Sequence, residues 1–293
     1  MNDKTKRPDT FAEEPPAQPP EGAEAFMLNV NRALSAPLTL MMASIHNLGR
    51  VCLDDGAYPD TGTRRAAARE LARLNQVYCR LLRLSCNLRD IARFRRGEEV
   101  IEPRWIDFSA LCGRACEQAA RAAGDGSVEF RPTSGAPILL NGDADQLERA
   151  VYNLLTNALL FRAGDETVLC TLSAADGRAW LRVSGGQGIP AHALERLYDA
   201  YDRAPDLRDS PEAGLSLGLP LCKHIAERHG GVLLPSSGEF ATVVLSLPLG
   251  DPDPDEMPLG QPRGGYTSFP VDLVELSCLP LGSRLYEMAL EED

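Results

Sequence analysis

Two asparagines stand four residues apart in the apolar stretch VYNLLTNALLFR, residues 151–162. Asparagine is a mediocre helix former, because its amide prefers caps and turns. On a leucine-rich helix, Asn153 and Asn157 would lie on one face, since residues i and i+4 are neighbours there. Two amides in such a place are either buried and paired with other polar groups, or they hold a ligand.

Two glycine-rich segments follow these asparagines along the chain. GGQGIP, residues 185–190, comes after a predicted strand, and GLSLGLPLCKHIAERHGG, residues 214–231, opens a predicted helix. Glycines at such places let the backbone approach a phosphate or a base closely, and helix N-termini favour anions. Each segment alone is a weak signal, but the three segments in this order and spacing are a strong one.

The elements that must position these segments form an α/β mixture from about residue 103. Short strands are predicted at 105–108, 127–131 and 138–141. The helix with the two asparagines begins after Asp143, a good N-cap residue, and Gln146 three positions later completes something like a capping box.

In the second half of this α/β region, the sequence predicts a hairpin, then a helix, then a second hairpin. ETVLCTLSAADGRAWLRVS, residues 166–184, predicts two strands joined by a turn at Asp176 and Gly177. Residues 199–213 are polar, rich in aspartate and aperiodic, which predicts a mobile loop. A helix from near Leu217 ends at Gly230, and residues 232–249 predict a closing hairpin.

A helical hairpin is predicted before the α/β region, at residues 23–98. Apolar residues recur at alternating spacings of three and four in two stripes, one through Phe26, Val30, Ala33, Pro37, Met41, Ile45, Leu48 and Cys52, and one through Ala67, Leu71, Leu74, Tyr78, Leu81, Leu88 and Ile91. The segment LDDGAYPDTG separates the stripes. Because such a hairpin cannot bury its stripe alone, we expect a homodimer that forms a four-helix bundle.

Both ends of the chain are predicted to lie outside these domains. Residues 1–22 are rich in Pro and Glu and are expected to be disordered. Residues 250–293 begin with an acidic linker that contains Pro and Gly, and residues 271–277 predict a late edge strand. The sequence assigns no role to this tail.

Composition excludes several classes of function. The chain has 293 residues and a formal net charge of −12, which would repel nucleic acids and anionic lipid surfaces. The N-terminus lacks the apolar core of a signal peptide, and no apolar run is long enough to span a bilayer, so we expect a cytoplasmic protein without membrane insertion. Cys112 and Cys116 are interpreted as core thiols and not as a metal pair.

Residues 103–249 resemble the ATP-binding domain of sensor histidine kinases, a Bergerat-type α/β sandwich. In that family the second asparagine of the NLLxNA helix ligates the Mg²⁺ on ATP, and Asn157 matches it, with Asn153 one turn earlier. The resemblance implies a nucleotide site that also includes Gly186, Gly188, Gly214 and Gly218. The open alternative is that both amides only bind loop backbone.

The hairpin resembles the dimerisation and phosphotransfer domain of the same family. RALSAPLT, residues 32–39, matches its histidine motif, but Arg32 occupies the phosphoacceptor position and Ala33 the adjacent acidic one. A guanidinium has no available lone pair on nitrogen, so it cannot be the nucleophile. His46 lies four turns away, about 21 Å by helix rise, and is not a substitute. His224 and His229 are interpreted as structural.

The nucleotide segments also depart from the family pattern. The aspartate that accepts a hydrogen bond from adenine is replaced by Ser184, a phosphate-loop glycine by Ser216, and a lysine near the triphosphate by Leu160. Five acidic residues lie in the loop that would cover the triphosphate. The sum of these changes argues against tight binding of ATP and Mg²⁺.

The sequence therefore predicts an α+β protein in which a dimeric helical hairpin precedes a Bergerat-type ATPase domain. The favoured function is a degenerate histidine kinase of two-component signalling, a pseudokinase or scaffold that contacts a response regulator or another kinase. One alternative is an ATP- and Mg²⁺-binding ATPase or kinase that acts on another substrate. A structural α/β protein with coincidental motifs is a third.

Overall fold

The computed structural model describes residues 40–41, 43–45, 48, 61–96, 100–124, 126–162, 164–187, 218–236, 240–250, 262 and 271–279. Several predictions lie outside these residues. They concern the disordered N-terminus, Arg32, Ala33, His46, the loop 199–213, Ser216, Gly188 and Gly214.

Helix α1, Thr61–Arg96, corresponds to the second predicted helix of the hairpin and is 36 residues long. One side of it packs on the rest of the protein through buried residues such as Ala72, Cys79 and Cys86. On another side Leu71 and Tyr78 are 41% and 44% exposed. These two side chains belong to the predicted apolar stripe, which therefore stays partly uncovered in a single chain.

The α/β region contains two sheets. Strands β1, Arg104–Asp107, and β3, Leu139–Gly142, form a small antiparallel pair. The main sheet has the order β2-β4-β5-β7-β6, in which only β2 and β4 are parallel. Its strands are β2, Val128–Pro132; β4, Val168–Ala175; β5, Arg178–Gln187; β6, Val232–Ser236; and β7, Phe240–Pro248.

Among the described residues, three helices cover one face of the main sheet: α2, Phe108–Ala123; α3, Ala144–Leu160; and α4, Gly218–Arg228. The core lies between the two layers. Along β5, Ala179, Leu181 and Val183 are buried, as expected when every second residue of a strand faces a helix layer. This two-layer sandwich confirms the predicted mixed α+β class with a sheet-based ATPase-like domain.

Local rules predicted the β4–β5 hairpin correctly. Asp176 and Gly177 both have positive φ values, 52° and 69°, which is the conformation that a two-residue turn with the twist of antiparallel strands requires. The turn sets the register in which Val183 lies opposite Cys170. The closing hairpin of β6 and β7 is also present.

The start of α3 is capped partly as predicted. The Asp143 carboxylate accepts hydrogen bonds from the backbone N–H groups of Asp145 and Gln146, both at 3.1 Å. The reciprocal half of a capping box is wrong, because the Asp143 N–H donates to His229 Nε2 at 2.9 Å instead. Gln146 Oε1 is buried and has no hydrogen-bond partner among the described residues.

The predicted edge strand at 271–277 is also wrong. The chain forms a short helix α5, Val271–Glu275, followed by a 3-10 turn, Leu276–Cys278. Val271, Val274 and Cys278 are spaced as on one helix face, and all three are buried. Contacts with α1 and α3 decide the conformation here, because they outweigh the β propensity of valine. We call residues 271–279 the C-terminal segment.

Candidate functional site

Asn153 is completely buried and fully engaged by its neighbours. Its Nδ2 group donates to the Arg149 carbonyl oxygen at 2.9 Å and to Glu275 Oε2 at 3.1 Å. Its Oδ1 atom accepts from Arg83 Nη2 at 2.7 Å. For Asn153, the alternative of a buried and paired amide therefore holds, and its partners are mostly side chains and not loop backbone.

An ion network surrounds this amide. Arg83 Nε lies 2.7 Å from Glu275 Oε2, and Arg149 Nε lies 3.4 Å from Glu275 Oε1. Arg149 also pairs with Asp90, with 2.6 Å between Nη1 and Oδ2. The Glu275 side chain is 0% exposed and the two arginines are 12% exposed. Two guanidiniums and two carboxylates thus balance each other in a region that excludes water, where charges require such pairing.

Side chains of α1 and α3 also satisfy the carbonyl groups of the C-terminal segment. Gln76 Nε2 donates to the carbonyl oxygens of Ser277 and Leu279, both at 3.0 Å, and Arg80 Nε donates to Ser277 O at 2.6 Å. Thr156 Oγ1 donates to Glu275 O at 3.3 Å. Because the last carbonyls of a helix have no partner within it, these donors fix the segment in one position.

Asn157 lies one turn beyond Asn153, is half-buried, and borders the start of α4. A Cβ atom placed on Gly218 would lie 2.8 Å from Asn153 Oδ1 and 3.5 Å from Asn157 Nδ2. Glycine is required here by close approach. The structure therefore brings Asn153, Asn157 and Gly218 together, and no described residue makes a hydrogen bond to the Asn157 side chain.

Gly186 lies where the end of β5 approaches the end of α3. Its φ is +85°, and a Cβ atom there would collide with the carbonyl group of Phe161. Both observations explain why the chain has glycine at this position. Gly186 is thus placed near the helix that carries the asparagines, as predicted.

Ser184 lies on the opposite face of the sheet from α3, which differs from its expected role beside a nucleotide. It is paired with Leu169 and Thr242, and Thr242 Oγ1 donates to Ser184 Oγ at 3.1 Å. Val183 faces the helices, so side chains of the even-numbered residues of β5 point the other way. The sequence contained a signal for the orientation of Ser184, because apolar Leu181 and Val183 are two residues apart and therefore share one face of the strand. Gly185 is the next residue on that face, which is the face toward the helices.

A second group of carboxylates lies where the C-terminal segment meets α2 and α3. The pKa of Glu148 is raised to about 7, mainly by burial; Arg114 lowers it, and the nearby Asp145, Asp272 and Glu275 contribute to the rise. Burial also raises the pKa of Asp272 in the segment itself. Both carboxyl groups therefore hold a proton more tightly with the segment in place than a solvated carboxyl would.

The histidines and cysteines outside this site have structural roles. A backbone N–H can only donate, so His229 Nε2 must accept from Asp143, and its Nδ1 carries the proton and donates to the Ile225 carbonyl at 2.7 Å. The ring of His224 stacks on Phe94 with centroids 3.8 Å apart. Cys112 and Cys116 are buried in the core, and the described part of the chain contains no cluster of three potential metal ligands.

Comparisons with known proteins agree with this fold. Residues 142–251 match the family of histidine kinase-, DNA gyrase B- and HSP90-like ATPases. The chain is 26% identical over 228 residues to the sensor protein kinase WalK of Staphylococcus saprophyticus, covering 76% of this chain and 36% of that protein. The chain thus spans about a third of the length of that relative.

Solved structures share the architecture at low identity. Histidine kinase AdeS of Acinetobacter baumannii superposes with a TM-score of 0.50 at 16% identity, over 74% of this chain and 98% of that chain. Full-length ShkA, solved in complex with AMPPNP, gives a TM-score of 0.51 at 21% identity, over 76% of this chain and 46% of that chain. These two likenesses show the fold.

The fold and the asparagine helix define a domain similar to the ATPase domain of histidine kinases. Taken with the relatives, they show that the chain is similar to sensor histidine kinases over the regions matched. Among the described residues, no helix combines the length and apolar character needed to cross a bilayer.

The contribution of the C-terminal segment to this site was not predicted from the sequence. Glu275 is the acceptor that engages Asn153, and the two are 122 positions apart in the chain. One local signal existed: Val271 and Glu275 have helical i, i+4 spacing, so a helix would place the single glutamate on the apolar face.

Proposed function

We propose that this chain is a histidine-kinase-like protein of two-component signalling that does not phosphorylate itself on histidine and works as a dimeric pseudokinase or scaffold. The observation that carries the proposal is Arg32 at the position of the phosphoacceptor. A guanidinium stays protonated under physiological conditions and offers no nucleophilic nitrogen for phosphoryl transfer.

The geometry of the asparagine helix supports the same proposal. The side-chain amide of Asn153 makes its hydrogen bonds to Arg83, Arg149 and Glu275, which leaves it unavailable to a nucleotide. On β5 the residue that faces the helices is Gly185, which has no side chain to accept a hydrogen bond from an adenine amino group. Losing one charge-assisted acceptor weakens binding by roughly tenfold or more.

The dimer and the protein partners follow from the helical hairpin. Leu71 and Tyr78 leave an apolar strip exposed on α1, which is suited to a second copy of the chain. A response regulator or another kinase would dock against such a bundle. This last step is an analogy with the family.

Labelling with γ-³²P-ATP tests the proposal directly. The wild-type chain should acquire no acid-labile, alkali-stable label, which is the signature of phosphohistidine. The variant Arg32→His serves as the matched control: label on it alone would show that only the acceptor is missing. Phosphohistidine on the wild-type chain would refute the proposal.

A second candidate function is an ATP- and Mg²⁺-binding ATPase or kinase with another substrate. The observation that favours it is Asn157, a half-buried amide beside Gly218 with no hydrogen-bond partner among the described residues. Mg²⁺ on a nucleotide takes few protein ligands and keeps several waters, so one amide oxygen fits it. The chemistry that the ion supplies when bound is neutralisation of phosphate charge.

Calorimetric titration with Mg²⁺ and ATP distinguishes the two candidates. Saturable binding that Asn157→Ala abolishes would support the ATPase, and hydrolysis of ATP in the same sample would establish it. Binding without hydrolysis is expected for a pseudokinase, and absence of both is expected for a scaffold.

A further inference from the structure

The Glu275 carboxylate occupies a site whose donors suit an anion. Arg83 Nε at 2.7 Å, Asn153 Nδ2 at 3.1 Å and Arg149 Nε at 3.4 Å surround its two oxygens. The carboxylate is completely buried and comes from the other end of the chain. Guanidinium and amide donors in this arrangement bind phosphate as readily as carboxylate.

We propose that the C-terminal segment is an intramolecular ligand that competes with the phosphate groups of a nucleotide for the site formed by Arg83, Arg149 and Asn153. The inference rests on the second candidate function only in taking a nucleotide as the ligand of the asparagine helix. While the segment is in place, Glu275 pairs with Arg83 and, together with Asp90, with Arg149, and it accepts a hydrogen bond from the Asn153 amide. When it leaves, two cationic side chains and a free amide face the same place as Asn157 and Gly218.

The competition has two physical causes. One is occupancy, because Asn153 cannot bind Glu275 and a phosphate oxygen with the same amide N–H. The other is charge, since a carboxylate next to a triphosphate is repelled in a region of low dielectric. Both act within one helical turn of Asn157, whose side chain remains half-exposed.

The segment is short, and the number of residues before it is large enough to let it leave. It is anchored by Val274, Leu276 and Leu279, which are at most 1% exposed. Twenty residues, 251–270, connect it to the end of the sheet domain, and a chain of that length reaches up to about 66 Å. Because α1 and α3 both hold the segment, its release also removes contacts between the helical hairpin and the ATPase-like domain.

The test uses the full chain with Val274→Asp, which places a charge in the apolar anchor without touching the anion site. Hydrogen exchange of residues 271–279 reports release of the segment, and calorimetry with Mg²⁺ and ATP reports affinity. We expect loss of protection and binding at least about tenfold tighter than for the wild type. The matched control is Leu234→Asp on β6, at a position that is 48% exposed, which should leave both readouts unchanged.

A second arm keeps the test decisive if Val274→Asp does not fold. Glu275→Gln retains the size of the side chain and removes its charge, and should also tighten ATP binding. A synthetic peptide of residues 268–282, added to whichever of the variants Val274→Asp and Glu275→Gln is folded, should weaken its ATP binding again. The same peptide with Glu275→Gln should do so at a concentration at least about tenfold higher.

Two results would overturn the inference. One is a released segment, shown by hydrogen exchange, with no gain in affinity for ATP. The other is a wild-type chain that is saturated with ATP while residues 271–279 stay fully protected. Phosphohistidine on the chain would refute the proposed function instead and would leave these two readouts as they are.

Discussion

The ion pair between Arg83 and Glu275 should be strongly coupled, and a double-mutant cycle measures the coupling. Arg83→Met removes the guanidinium that lies 2.7 Å from Glu275, whose side chain is 0% exposed, and keeps Arg149 at 3.4 Å. Glu275→Leu removes the carboxylate that pairs with Arg83, while Arg149 keeps Asp90 at 2.6 Å. Removing one partner of a buried pair costs about 3–5 kcal/mol, and each single variant should lose about 3 kcal/mol of unfolding free energy.

The double variant should be less destabilised than the two single losses imply. It restores charge balance, because Arg149 and Asp90 remain paired and apolar groups replace the other two. We expect a coupling free energy of at least about 2 kcal/mol from urea unfolding. The control cycle is Arg73 with Glu70 on the same helix, whose atoms are 2.8 Å apart but whose arginine is 62% exposed.

The exposed pair should show a coupling of about 1 kcal/mol or less, because water screens it. Additive losses for Arg83→Met and Glu275→Leu would refute the reasoning, as would equal coupling in both cycles. Either result would mean that water reaches the charges of Arg83 and Glu275 at the C-terminal segment, so that the two side chains do not depend on each other for charge balance.

Three further predictions follow from the same contacts. Asn153→Ala should lower the unfolding free energy by about 1–3 kcal/mol in urea unfolding, because the variant removes hydrogen bonds from buried polar groups. Asn157→Ala should change the unfolding free energy by less than about 0.5 kcal/mol and should only weaken ATP binding, which calorimetry measures. Glu148 and Asp272 have raised pKa values, so docking of the C-terminal segment should be strongest at low pH and weaken as pH rises through about 7. Hydrogen exchange of the segment should therefore show greater protection at pH about 5.5 than at about 8. Equal protection at both pH values, after correction for intrinsic exchange rates, would contradict this prediction. Tyr78→Glu should weaken the proposed dimer by about tenfold or more in mass measurements and leave the helical content unchanged, since the proposed four-helix bundle would bury the exposed tyrosine.

Short-range chemistry decided which elements could be predicted from the sequence. The Asp143 cap and the Asp176–Gly177 turn depend on neighbouring residues, and both are present as expected. The partner of the Asp143 N–H is His229, 86 positions away, and no local pattern indicates it. Propensity also favoured a strand for the C-terminal segment, whereas packing against two distant helices made it helical.

The candidate site stays a prediction, and the structure shows part of its geometry. Asn153 and Asn157 lie beside Gly218 at the start of α4, and Gly186 lies beside Phe161 at the end of α3. The role of Ser184 depends on strand parity, which motif matching ignores. The contact of Glu275 with Asn153 depends on tertiary packing, so it becomes visible only in three dimensions.

Asn153 and Asn157 therefore have different environments in the structure, and the difference has a physical reason. Asn153 lies where α1, α3 and the C-terminal segment meet, and a buried amide there needs partners on every side. Asn157 lies one turn further along the helix, beside Gly218, and is only half-buried. Release of the whole C-terminal segment would remove Glu275 from Asn153 and also break the bonds of Gln76 and Arg80 to the segment, so the state of the amide and the contact between α1 and the segment would then change together. The asparagine helix is in this way coupled to the helical hairpin through residues that carry no phosphotransfer chemistry themselves.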